Sequence, residues 1–248
     1  MNTLSPLPTR PLELPDGAVA EAELWLDRRR TSREPAAAAL ADAAPAVHDT
    51  LPPAVDGAPG GDRSARGVLV VGPVHGPAGY RRLMRTLLSA AEAIPGAGPV
   101  VVEYPVATVD ALVNARLDRI GGWEAKAMLD RAGIAGAHLL HDALRRDLNS
   151  PDWARALDRG VPAPRLLWST RPPAGPDRGA EYAERCLLPG TAVALSPEAL
   201  SAFTRRAAVT GAATPDLAEA RRVAGILDWF GIHLDALDSH AARSRTSP

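Results

Sequence analysis

The feature that most constrains this chain begins at Gly67. From there, short apolar runs alternate with stretches of helical periodicity. Val68–Val71 is apolar throughout, as a strand covered on both faces should be. From about Ala78 to Ile94, residues Tyr80, Leu83, Met84, Leu87, Leu88, Ala91 and Ile94 fall on one helical stripe, and Pro95-Gly96 stops it. Pro99–Val106 reads as a second buried strand. Thr108 or Asp110 would cap the next helix, where Val109, Leu112, Val113, Leu117 and Ile120 share a face before Gly121 and Gly122 end it. Trp123–Leu148 reads as one long helix containing Gly133 and Gly136. Glycine inside a helix costs ~1 kcal/mol relative to alanine, so two of them predict either close packing against a neighbour or a break. Ser150-Pro151 starts a helix, with serine as cap and proline in the first turn. Arg165–Trp168 is a third strand, Pro172–Gly179 a loop and Thr191–Leu195 a short strand. Ser196-Pro197 opens another helix, and Pro215–Phe230 is the last, closed by Gly231. This alternation is that of βαβ units, which predicts an α/β protein with parallel strands covered by helices.

The flanks are less regular. Residues 1–20 are proline-rich without periodicity and read as a loose tail. Glu23–Asp27 (ELWLD) alternates like an edge strand, and the alanine-rich Pro35–Ala46 reads as helical. Pro52–Arg66 is crowded with proline and glycine, the strongest linker signal in the chain. Four parts are expected: a tail over 1–20, a degenerate amino-terminal segment and linker over 21–66, the α/β domain over 67–238, and a disordered tail over 239–248.

Composition excludes several functions. The formal net charge of −1 argues against nucleic acid or an anionic membrane as a partner. No apolar run approaches the roughly 20 residues of a membrane span, and the amino terminus lacks the apolar core of a signal peptide, so a cytoplasmic protein is expected. Cys186 is the only cysteine, which rules out an intrachain disulfide; it reads as a small buried hydrophobe rather than a nucleophile. Lys126 is the only lysine and reads as an exposed helix residue near Glu124 and Asp130. His138 and His141 lie three apart on a helix but lack the glutamate of a zinc-protease motif. Gly72, Gly76 and Gly79 follow a strand but match neither phosphate-loop spacing. No metal and no cofactor are expected.

From Gly67 to about Leu237 the order and wording resemble the bacterial transaldolase family, in particular its actinobacterial branch. The stretch from Val109-Asp110 through Arg116-Leu117-Asp118, Ile120-Gly121 and Gly133–Ala137 looks like that family's sixth strand and the helices after it. Arg165–Thr170 is similar to its seventh strand, and Pro189–Val193 with Pro197–Leu200 to the segment that follows. Leu24–Asp27 resembles its first strand and places Asp27 on the catalytic aspartate. The resemblance implies an (α/β)8 TIM barrel with functional residues at the carboxyl ends of the strands. Only about forty residues, Arg28–Gly67, stand where strands two to four belong, and a βα unit takes roughly 25–30. The barrel is therefore expected to be incomplete or degenerate, or rebuilt by a protein partner or a second copy of the chain.

The resemblance also implies a chemistry that this sequence has mostly lost. Transaldolases split a ketose through a Schiff base on a strand-four lysine, and no such motif is present. Arginine stays protonated and cannot replace it. Val70 and Gly72 stand where the fifth strand carries asparagine and threonine, and Ala107-Thr108 stands where the sixth carries a phosphate-gripping arginine. Glu103 replaces a serine and would repel a phosphate. Ser169 and Arg171 keep a Ser-x-Arg pattern suited to an anion. The candidate site residues are thus Asp27 and Glu103 for catalysis, and Ser169 with Arg171 for phosphate. The expected function is that of a pseudoenzyme in sugar-phosphate (pentose phosphate) metabolism, binding a sugar phosphate or a partner. The alternatives are a lysine-independent enzyme built on Glu103, Asp110 and Ser169/Arg171, an active transaldolase using Lys126, and a decayed product without function.

Overall fold

β-Branched residues crowd the apolar runs, and in the computed structural model each run is a strand. The structure describes residues 4–6, 12–13, 19–20, 22–27, 47–48, 68–90, 100–170, 175–206 and 214–237. The strands are β1 (Leu4–Pro6), β2 (Leu12–Glu13), β3 (Val19–Ala20), β4 (Glu23–Asp27), β5 (Val47–His48), β6 (Val68–Val71), β7 (Val100–Pro105), β8 (Arg165–Ser169) and β9 (Thr191–Leu195). The helices are α1 (Pro77–Ser89), α2 (Val106–Ile120), α3 (Gly122–Lys126), α4 (Ala132–Leu148), α5 (Pro151–Asp158), α6 (Pro176–Cys186), α7 (Pro197–Arg206) and α8 (Leu217–Trp229). A 3-10 turn, Leu234–Ala236, follows.

Seven strands form one sheet in the order β1-β4-β9-β8-β7-β6-β5. The run from β4 to β5 is parallel throughout, and β1 lies antiparallel on β4. Early strand β4 sits beside the last one, β9, with Leu24 opposite Val193 and Leu26 opposite Leu195. That neighbourhood is what an α/β barrel needs where its ends meet. At the other side, among the described residues, β6 pairs with β5 at Val68 and Leu69. Glu23–Asp27 is therefore a strand as expected, but it is flanked on both sides, not an edge. Part of the expected loose tail, Leu4–Pro6, supplies the outer neighbour. The expected Pro35–Ala46 helix and the Pro52–Arg66 linker lie outside the described residues.

Alternation sorts the strand residues onto two faces. Val71, Val100, Val102, Tyr104, Leu166, Trp168, Val193 and Leu195 pack with the helices in the main core. Trp25, Val70, Val101, Leu167, Ala192 and Ala194 form a separate cluster on the inner face. Tyr104 and Trp168 meet edge to face on the helix side, with centroids 5.9 Å apart, and the Trp168 indole donates to Thr191 Oγ1 at 3.0 Å.

Three local expectations are corrected. The expected helix Trp123–Leu148 is broken: α3 ends at Lys126, and Asp130 adopts a φ of 60° before α4 begins. Asn114 holds that turn, accepting from the Asp130 amide at 2.9 Å and donating to its side chain at 2.7 Å. Neither Thr108 nor Asp110 caps α2, which already starts at Val106. The expected loop Pro172–Gly179 gives way to helix α6 at Pro176. Its buried stripe is Gly179, Ala180, Tyr182, Ala183 and Cys186, so the helical period is present but most of its members are too small to signal it.

Both glycines of α4 serve close approach. A β-carbon on Gly133 would lie 2.4 Å from the Val106 carbonyl oxygen, and one on Gly136 would lie 1.9 Å from the Tyr104 hydroxyl. Gly225, inside α8, meets nothing within 4 Å. Gly133→Ala should therefore destabilise the fold by about 1–3 kcal/mol, as overpacking does. Gly225→Ala should stabilise it by about 0.5–1 kcal/mol through helix propensity. Urea unfolding of the two variants checks the opposite signs.

Candidate functional site

Strand alternation decides where the candidate residues point. Asp27 stands two residues beyond Trp25, Glu103 two beyond Val101 and Ser169 two beyond Leu167, so all three fall on the inner face. They lie at or near the carboxyl ends of β4, β7 and β8, and all are buried. Val70, where the resemblance expected a polar residue, belongs to the inner apolar cluster. Glu103 and Ser169 are on adjacent strands, with Glu103 opposite Leu167 and Ser169 opposite Pro105. Asp27 and Glu103 are separated by β9 and β8, which is about 14 Å on a flat sheet and less on a curled one. Arg171, the expected phosphate partner of Ser169, lies outside the described residues. Beside Ser169, Thr170 donates its hydroxyl to the Ala194 carbonyl at 3.0 Å and tethers the end of β8 to β9.

Two loops shape the same end of the sheet. The Val74 amide donates to the Glu103 carbonyl at 2.9 Å, so the turn after β6 folds onto β7. Gly72 makes that turn at a φ of 116°, and a β-carbon there would sit 3.0 Å from the Glu103 carbonyl oxygen. The 3-10 turn Leu234–Ala236 packs on Gly76, where a β-carbon would meet the Leu234 carbonyl oxygen at 2.2 Å.

Lys126 is elsewhere. β7 runs directly into α2, which turns back along the sheet for 15 residues, about 22 Å. The short α3 that carries Lys126 follows at the amino ends of the strands, and the lysine is exposed. Cys186 is fully buried, and burial pushes its thiol up to about 12, which keeps it protonated and poorly nucleophilic.

Asp110, weighed for acid/base work, belongs to the helix layer and does not converge with Glu103. Its Oδ1 accepts the Gly133 amide at 2.7 Å. Its Oδ2 accepts the Tyr182 hydroxyl at 2.6 Å and Arg178 Nη2 at 3.3 Å. Arg178 also pairs with Glu181 at 2.6 Å, donates to the Asp130 carbonyl and stacks over the Tyr182 ring at 4.6 Å. Burial raises the Asp110 carboxyl above its ordinary value, against the bonds from Tyr182 and Gly133 and the charge of Arg178. Burial, reinforced by Asp110, also raises the Tyr182 phenol. The group ties α2, α4 and α6 together. No sequence pattern marks it, because its three partners, one backbone amide and two side chains, are 23 to 72 residues away.

Beside this tie, a groove of about 400 Å3 runs between α4, α6 and α8, lined by Arg131, His138, Arg178, Glu181, Arg185 and Glu219 among others. Glu219 is gripped through both oxygens by Arg222 at 2.7 Å. The two helix histidines face backbone rather than each other's ligands. His138 Nε2 lies 2.9 Å from the Arg185 carbonyl oxygen and His141 Nε2 lies 3.0 Å from that of Pro189. Among the described residues no helix is long and apolar enough to cross a membrane.

Strand order, parallel register and helix cover define an α/β protein of barrel type, incomplete among the described residues. Comparison with known proteins points the same way. The transaldolase of Frankia alni is 33% identical over 139 residues, which is 54% of this chain and 37% of that protein. That of Parafrankia sp. is 32% identical over 138 residues, again 54% and 37%. That of an Arthrobacter species is 29% identical over 163 residues, 62% of this chain and 43% of that protein. No family model matches. The chain thus spans about two-fifths of the length of the curated relatives it matches. The resemblance to actinobacterial transaldolases is borne out over about half of the chain, and it fits a shortened member of that family.

Asp110→Ala would leave the Gly133 amide and the Tyr182 hydroxyl without their acceptor and Arg178 without one of its two carboxylates. The expected loss of stability is about 3–5 kcal/mol, as for a broken buried pair. Denaturant unfolding measures it, and Asp152→Ala, which removes an exposed i,i+3 pair, should cost under about 1 kcal/mol.

Proposed function

We propose that this chain is a transaldolase-derived protein of sugar-phosphate metabolism that does not run Schiff-base chemistry and acts by binding. The placement of Lys126 carries this reading. It is the only amine side chain, it is exposed on α3, and α3 lies across the length of α2 from the inner-face residues Asp27, Glu103 and Ser169. A covalent lysine has to reach the substrate carbonyl, and a lysine exposed on a helix across the length of α2 does not. The inner face offers carboxylates and hydroxyls, groups that grip a polyol through hydrogen bonds. Ser169, with Arg171 beyond it, would receive the phosphate. A cytoplasmic setting goes with this reading.

The binding is proposed to involve a protein partner or a second copy as well. Among the described residues β6 has β5 as a neighbour over two positions, and that side of the sheet is where a further part of a barrel would dock.

A second reading, a lysine-independent enzyme on a small sugar-like substrate, draws support from Glu103 and Ser169. They share the inner face on adjacent strands and would work without Asp110.

Borohydride trapping with fructose 6-phosphate, read by intact mass, tests the main reading. The expected result is no three-carbon adduct on the wild type or on Lys126→Ala. An adduct present on the wild type and absent from the variant overturns it. Calorimetric titration with the same sugar phosphate should show binding that weakens at least tenfold in Ser169→Ala. Heat indistinguishable from buffer would remove the sugar-phosphate part of the proposal.

A further inference from the structure

His138 uses both ring nitrogens although only 5% of its surface is exposed. The Asp216 amide donates to Nδ1 at 3.1 Å. An acceptor at Nδ1 puts the ring proton on Nε2, which donates to the Arg185 carbonyl at 2.9 Å. Both partners belong to helix ends, where backbone groups lack partners within the helix. The Arg185 carbonyl is in the last turn of α6, and Asp216 is the N-cap of α8. One neutral imidazole in the middle of α4 therefore holds two helix termini. An imidazolium cannot do this, because Nδ1–H would point at the Asp216 N–H.

We propose that His138 is a pH-sensitive latch: neutral, it holds the amino end of α8 against α4, and protonated, it lets that end go. The charged groups around it are largely occupied. From the start of α8, the Asp216 carboxylate accepts the Glu219 amide at 2.9 Å, and Glu219 is held by Arg222 at 2.7 Å and by Arg131, just before α4, at 3.4 Å. From α6, Glu181 is held by Arg178 at 2.6 Å, and Arg185 brings a further positive charge. On α4 itself, His141 is bonded to the Pro189 carbonyl, and Asp142 pairs with Arg146 at 3.2 Å and with Arg221 of α8 at 3.8 Å, while Arg145 adds positive charge. Glu219, Glu181 and Asp142 thus have their own cations, and the Asp216 carboxylate is taken up by the Glu219 amide.

The latch has a route to the site. The bond from the Asp216 amide seats the start of α8 beside His138 and the last turn of α6, and the far end of α8 leads to the loop after β6. Past Gly231 the chain enters the 3-10 turn, whose Leu234 packs on Gly76 and whose Asp235 pairs with Arg81 at 3.3 Å. Releasing α8 would loosen the strap resting on the loop after β6, beside the face that carries Glu103.

Amide hydrogen exchange of the full chain by NMR, corrected for intrinsic rates, tests the latch between pH 8 and pH 5. Protection of the Asp216 amide should fall at least tenfold more than that of the Leu140 amide, with the His138 ring gaining its Nδ1 proton over the same range. His138→Gln, whose amide can accept and donate in the same places without titrating, should hold Asp216 protection at both pH values. His141→Gln should keep the wild-type response. A smaller differential loss, a ring that stays in its Nε2–H form at pH 5 while protection falls, or a response that disappears with His141 rather than His138 overturns the proposal. The ring spectra of the wild type decide the matter even if a variant fails to fold.

Discussion

The helix layer depends on how closely α4 approaches what lies beneath it. Gly133 lets the helix start against the Val106 carbonyl, and Gly136 lets it pass over the Tyr104 hydroxyl. That approach brings the Gly133 amide within 2.7 Å of Asp110, whose other oxygen receives Tyr182 and Arg178 from α6. Two missing β-carbons and one buried carboxylate thereby set the relation of α2, α4 and α6. The lower face of α4 stays apolar, with Ile134, Ala137 and Leu140 in the core, so the hydrophobic term and the polar tie act in the same direction.

Much of this architecture is legible in the sequence where burial is symmetrical. Val70 and Val71 of β6 and all of Val100–Pro105 are buried, and the apolar runs that open both strands announce it. Helix α1 shows a clear stripe because its buried members include Tyr80, Met84 and Leu87. Legibility ends where burial is achieved by small residues. Helix α6 buries Gly179, Ala180 and Ala183, which hydropathy barely registers beside Pro172 and Pro173. The break between α3 and α4 was hidden for another reason. Asp130 takes a conformation that a sequence rule assigns to glycine, held there by Asn114 sixteen residues earlier.

The candidate site divides in the same way. Alternation alone puts Asp27, Glu103 and Ser169 on one face once the strands are known, since each follows an inner apolar residue by two. Asp110 could not be sorted by such counting. It sits four residues into α2, where one turn of helix separates a strand-end position from the helix layer, and only its partners on α4 and α6 show which way it faces. The same holds for His138 and His141. Their i,i+3 spacing suits two ligands on one metal, but it equally suits two imidazoles reaching two carbonyls, Arg185 in the last turn of α6 and Pro189 in the connection to β9. Spacing fixes that the rings are neighbours, and the tertiary partner fixes what they do.

The inner apolar cluster has a physical logic that is independent of catalysis. Trp25, Val70, Val101, Leu167, Ala192 and Ala194 hold β4 to β9, β8, β7 and β6 whether or not catalysis occurs, because their burial stabilises the sheet itself. A catalytic amine contributes nothing of that kind; keeping it desolvated with a depressed pKa costs stability. A chain freed from the reaction would lose such a group first and keep the sheet. Ala192 and Ala194 fit the same logic from the other side. They are the smallest members of the inner cluster, and they lie directly beside Leu167 and Ser169 in the register, next to the one hydroxyl that the resemblance assigns to a phosphate. A face that had become only a packing surface would gain from larger side chains there.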